Sequence, residues 1–542
     1  MLFLLHKCNW NRSAWKNREK CYPLRRFTGK LFLDNKNSRS QGKGMSTIMP
    51  NSSEILGLRK VLIQAESLRR AGKLVEAEKL CLKLLKQNPI YMGALQTYGL
   101  VSIERENYPQ AVTCFLTACA EAPNDPTNYL NLAAAWVGLE KSPMAKLMLE
   151  KALELDPDNA EIHHLIGDVH VRNREYDLAM NSFAKAIDLD SGQILPMFKL
   201  ADSYVNLGYF DEAKDILFKL NKMRPDWIGV INLLHHLPKD MVDLNFFAAL
   251  KKAKQQKTET SAEFENSRDF LEASVLCRDG EHGKAWPILM KANEQIYSEN
   301  KHNFEKANSL RVQELAKAKL EKIPSKSKTY RSVVPLFIMG ASRSGKTTLE
   351  VLLGTHPDIK RGYENHNVQE STIRASQVSG LINIDQLWRL PEPVFAEFSK
   401  DFRNRIEAQA DGHKILTNTS PGLIGSAAQI AKALPEARFI FISRNADDLA
   451  LRILMKKYKR ANYHSYNLDT TRDYIRWYNE MMTILSEKLG SRVLTTTYED
   501  IVTNPGRIAA KVIDFCLLPK LEAKLPAVGS DIGCAEPYAH LM

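Results

Sequence analysis

Pro89, Pro123 and Pro157 stand thirty-four residues apart, and Pro225 falls two further periods on, with Ser191 in the slot between. A fixed period of this length means stacked like units, because one unit alone cannot bury its apolar face and must lean on the next. Counted from Leu58, the eighth position of each unit is small: Ala65, Gly99, Ala133, Gly167 and Ala201. The twentieth is alanine throughout, at Ala77, Ala111, Ala145, Ala179 and Ala213, and four residues later come Cys81, Phe115, Leu149, Phe183 and Leu217. Small residues on two helices let them cross closely, the larger side chain fills the gap beside them, and the proline ends the second helix.

This pattern resembles the tetratricopeptide repeat (TPR), in five units over residues 58–227. After a polar stretch from Lys254 to Ser267, the spacing of Ala273, Ala285, Leu289 and Ala292 reads as a degenerate sixth unit within a helical extension, 228–300. The resemblance implies an all-α superhelix whose concave face takes an extended peptide or helix from a protein partner. Residues 301–333 read as a linker, 334–520 as a second domain and 521–542 as a tail.

At 542 residues the chain is too long for a single core. The net charge of +12 is concentrated early: the first 44 residues hold eleven lysines and arginines against Glu19 and Asp34. Segment 1–57 is therefore expected to be a disordered basic tail, with a transit peptide or a start displaced upstream of Met45 as alternatives. Because the positive charge is concentrated in this tail, nucleic-acid binding ranks last among the readings. No apolar run nears the roughly 18–20 residues of a membrane helix, so no span is expected. Eight scattered cysteines without metal-ligand spacing fit a reducing, cytoplasmic setting and no bound metal.

The second domain opens on an apolar strand, Leu336 to Met339, followed by Gly340-Ala341-Ser342-Arg343-Ser344-Gly345-Lys346-Thr347-Thr348. A helix is expected from about Lys346, so an anion would meet backbone amides at a helix N-terminus. The literal Gly-x4-Gly-Lys-Thr also suits a P-loop kinase or nucleotide hydrolase. Such an enzyme needs a magnesium-binding carboxylate at the end of a second strand. Here the strand Ala437 to Ser443 runs into Arg444, a cation that suits a second phosphate.

These elements resemble the sulfotransferases that use 3′-phosphoadenosine 5′-phosphosulfate, particularly those with TPR units ahead of the catalytic domain. The loop Ser342 to Thr348, the later Thr355-His356-Pro357, the Arg444/Asp448 pair, Tyr498-Glu499-Asp500-Ile501 and Asp514-Phe515-Cys516 carry the likeness. It implies an α/β, P-loop-like parallel-sheet domain. It implies that Arg343, Ser344, Gly345, Lys346, Thr347 and Thr348 hold the 5′-phosphate and sulfuryl group. Arg444, Arg452 and Tyr498 would serve the 3′-phosphate side. Sulfuryl transfer spreads charge over equatorial oxygens, which cations and amides can stabilise without a metal. Glu364, in Gly362-Tyr363-Glu364-Asn365-His366, falls where related enzymes carry a catalytic glutamate, and His366 is the alternative base. A tyrosine acceptor is implied by the resemblance alone.

Three departures stand out. Thr419 occupies a slot where related enzymes place a lysine, and Lys346 is offered as its replacement. Arg452 stands where a serine is usual. The end of the chain lacks the basic, tyrosine-containing tail that closes over the cofactor. A non-catalytic scaffold built on a decayed domain therefore stays open as a third reading.

Overall fold

The computed structural model describes residues 52–542 other than 174, 239–240, 256–261, 324–331, 382–383, 459–461, 521–524, 527–532 and 540–541. The basic segment 1–51 and parts of the expected linker and tail thus lie outside the described residues. The chain divides into two compact units, the first reaching Pro196 apart from Asn173–Glu175, the second holding those three residues and Met197–Met542.

Among the described residues of the first unit, eight helices follow one another as four pairs, from Ser52–Arg70 and Leu74–Gln87 to Ala160–Arg172 and Tyr176–Leu189. The alanines at the twentieth position, Ala77, Ala111, Ala145 and Ala179, are all fully buried. The two variable positions compensate each other. Where the eighth residue is glycine the later one is phenylalanine, and a Cβ at Gly99 or Gly167 would come within 2.5 Å of Phe115 or 2.4 Å of Phe183. Where it is alanine, a cysteine or leucine suffices, so each pair keeps its filling by trading volume between two positions.

The second unit continues with helices Phe210–Met223, Ile228–His236, Phe246–Gln255 and Ala262–Arg278, then one 39-residue helix, His282–Leu320. Ala273, Ala285, Leu289 and Ala292 are buried, as the sixth-unit spacing requires. Residues 301–320, read above as linker, are the second half of the long helix. Lys, Glu, Ala, Gln and Leu favour a helix there, and Arg311, Leu315 and Ala318 form a narrow stripe, i, i+4, i+7, packed on the following domain.

That domain holds five parallel strands: β1 Val334–Met339, β2 Ile359–Lys360, β3 Ile415–Asn418, β4 Arg438–Ser443 and β5 Val493–Thr497, in the order β2-β3-β1-β4-β5. Phe337, Met339, Phe439 and Phe441 feed the core on one face, while Leu336, Ile338, Ile440 and Ile442 feed the other. Both faces are covered, so the central strand β1 is apolar throughout. From β1 the chain runs to β2 and β3 on one side and to β4 and β5 on the other. Such a switch point leaves a crevice beyond the carboxyl ends of β1, β3 and β4. Among the described residues no helix is long and apolar enough to cross a membrane.

Candidate functional site

The loop between β1 and helix Lys346–Leu353 turns through two left-handed residues, Arg343 at φ 68° and Gly345 at φ 94°. Only glycine fits the second, because a Cβ there would sit 2.5 Å from the ring of Tyr498. Arg343 and Thr347 are exposed, Thr348 is half-buried, and Ser344 is buried, its Oγ without a hydrogen-bond partner among the described residues. Lys346 turns inward: its Nζ donates to Gly340 O at 2.9 Å and Ala341 O at 2.8 Å. Burial pushes this ammonium down to about 8, against the pull of the Glu364 carboxylate and with the push of Arg343.

Glu364 is half-buried on a loop clamped to the end of β3. Its neighbours do the clamping. Tyr363 O accepts from the Thr419 amide at 2.9 Å, and Asn365 Nδ2 donates to Thr417 O at 3.2 Å. Asn418 Nδ2 in turn donates to Asn365 O and Oδ1 at 3.0 and 2.9 Å. The approach is so close that a Cβ at Gly362 would lie 2.1 Å from Thr417 O. Beneath, the buried Glu350 carboxylate accepts from the Tyr363 amide at 3.0 Å and from the Thr417 hydroxyl, and burial raises its pKa. Glu350 was missed from the sequence as a support; its signal is its place four residues after Lys346 on the same helix. His366 is the N-cap residue of helix Asn367–Val378, half-buried and two residues beyond Glu364.

Across the crevice, Arg444 leaves β4 and is buried. Its guanidinium donates to Arg343 O at 3.1 Å and lies 4.1 Å from the Tyr498 ring, so one tyrosine supports both this cation and the loop glycine. The following helix, Ala446–Leu454, is capped by Asn445, which accepts from the amides of Asp447 and Asp448. Arg452 stands half-buried on its last turn. The end of the chain does return here: the buried Asp448 carboxylate accepts from the amides of Gly533 at 2.7 Å and Ala535 at 2.8 Å.

The loop cations, an orphaned hydroxyl and a glycine cradle on one side, with Arg444 on the other, suit an elongated polyanion. The structure brings Lys346 and Glu364 within electrostatic reach of each other.

Residues 335–522 match the model of the sulfotransferase family, and residues 130–194 and 196–226 match tetratricopeptide-repeat models. Protein-tyrosine sulfotransferase 1 of Danio rerio is 24% identical over 204 residues, covering 36% of this chain and 57% of that protein. The protein-tyrosine sulfotransferase of Drosophila melanogaster is 24% identical over 211 residues, 36% of this chain and 41% of that one. The chain thus spans about half the length of these curated relatives. A solved thermophilic TPR protein of Thermus thermophilus is 22% identical, covering 36% of this chain and 99% of its own, with a TM-score of 0.31. The chain joins tetratricopeptide repeats to a domain of the sulfotransferase family.

Proposed function

We propose that the protein transfers a sulfuryl group from 3′-phosphoadenosine 5′-phosphosulfate to a hydroxyl, with a protein tyrosine as acceptor and the repeats holding the acceptor protein. One observation carries the reading: Glu364, on a loop fixed to the end of β3 by its neighbours, lies within electrostatic reach of Lys346 in the phosphate loop, while a cation and not a carboxylate follows β4.

The bound donor supplies a sulfur activated by a phosphate leaving group. Arg343, Ser344, Lys346, Thr347, Thr348 and the amides around Gly345 hold its 5′-phosphate and sulfuryl oxygens; Arg444 and Arg452 hold the 3′-phosphate. Glu364 takes the hydroxyl proton as the acceptor oxygen bonds to sulfur and the bond from sulfur to the 5′-phosphate oxygen breaks. The electron pair of that bond stays with the phosphate, beside Lys346, whose charge fills the role left open by Thr419. His366 is the alternative base.

Glu364→Gln is expected to lower kcat by about 10²–10⁴-fold while leaving binding of 3′-phosphoadenosine 5′-phosphate intact. A transfer assay on tyrosine peptides and calorimetry with the bisphosphate read the two halves. Full activity in the variant would remove Glu364 from this role. Binding of magnesium ATP in preference to the bisphosphate would return the kinase reading, and binding of neither would leave a scaffold.

A further inference from the structure

A cavity of about 280 Å³ lies within the second unit, just below the roughly 300–1,000 Å³ usual for small-molecule clefts. His235, Arg278 and His282 line it from the helical extension; Arg452, Cys534 and Tyr538 line it from the other side. It adjoins the crevice, because Cys534 Sγ lies 3.9 Å from the Arg444 guanidinium, which itself bonds the phosphate loop at Arg343 O. Helix Ile228–His236 also comes close to that loop: His236 is within electrostatic reach of Arg343, Arg452 and Lys456.

The lining is held in place. Arg278 donates to His235 O at 3.0 Å and stacks 5.2 Å from the Phe246 ring, and His282 Nδ1 meets the Tyr538 hydroxyl at 3.0 Å. Arg452 from the family domain and Arg278 from outside it give the cavity two guanidinium groups, each able to grip phosphate in two places.

We propose that the helical extension forms one wall of the donor pocket, with Arg278 and His282 gripping the 3′-phosphate end of the nucleotide opposite Arg452. This rests on the donor reading above and adds residues from beyond the sulfotransferase-family match, which begins at residue 335.

The test is calorimetric titration of the full chain with 3′-phosphoadenosine 5′-phosphate and, in parallel, adenosine 5′-phosphate, which lacks the 3′-phosphate. Arg278→Met is expected to weaken the bisphosphate by about tenfold or more and to leave the monophosphate within about twofold. His282→Phe keeps a ring against Tyr538 and is expected to act in the same direction more weakly, so it stands in if Arg278→Met fails to fold. Equal weakening of both ligands, or no change in either, overturns the proposal while the donor reading stands. If the unmodified protein binds neither ligand, the donor reading itself fails.

Discussion

Lys346 is the residue at which electrostatics and function meet. Its ammonium is buried among loop carbonyls and held at about 8, where an unfolded lysine titrates near 10.5. Between those values the unfolded chain binds a proton that the fold has released, so the stability of the free protein rises with pH across that window. A polyanion at the loop favours the charged form instead. Binding of the bisphosphate above about pH 8 should therefore take up a proton, and affinity should fall as pH rises past that value. Calorimetry at about pH 9 in buffers of different ionisation enthalpy would read an uptake approaching one proton, absent in Lys346→Met. No uptake in the unmodified protein would show that Lys346 does not face the anion.

The helix pair is the element whose construction can be tested most directly. Gly99→Ala places a methyl into the Phe115 ring and should cost about 1–3 kcal/mol, whereas the double variant Gly99→Ala/Phe115→Leu rebuilds the Ala133/Leu149 arrangement and should recover much of that loss. Denaturant unfolding of Gly99→Ala, Phe115→Leu and the double variant checks it; additive losses would mean that the two positions do not trade volume. This filling was legible in the sequence because it recurs at fixed phase. So were the loop and strand ending at Arg444, since each is local. The helix through 301–320 was not, because its buried stripe is narrow and includes a charged residue, Arg311. Nor was the cavity: His235, Arg278, Arg452 and Cys534 are brought together only by tertiary packing.

For the whole molecule, the long helix decides what can be cut. Near its start His282 lines the cavity; about a third of the way along, Asn293 donates to Leu454 O at 3.1 Å, at the end of helix Ala446–Leu454. Further on, Arg311 meets His464 Nδ1 at 2.9 Å and lies over the rings of Tyr474 and Trp477, and the Trp477 indole donates to Arg311 O. A fragment beginning at Val334 loses all of this and should aggregate or unfold at lower denaturant. One beginning at Asp190 retains all of the second unit but Asn173–Glu175 and should unfold cooperatively with the bisphosphate site intact. Equal stability of the two fragments would contradict this division.

That shared helix also constrains descent. A duplication or loss of units beside residues 262–320 would displace side chains that the sulfotransferase-family domain already packs against, so such lineages should be purged. The spacing from Ala273 through His282 to Ala318 is thus what selection on the fold itself holds fixed.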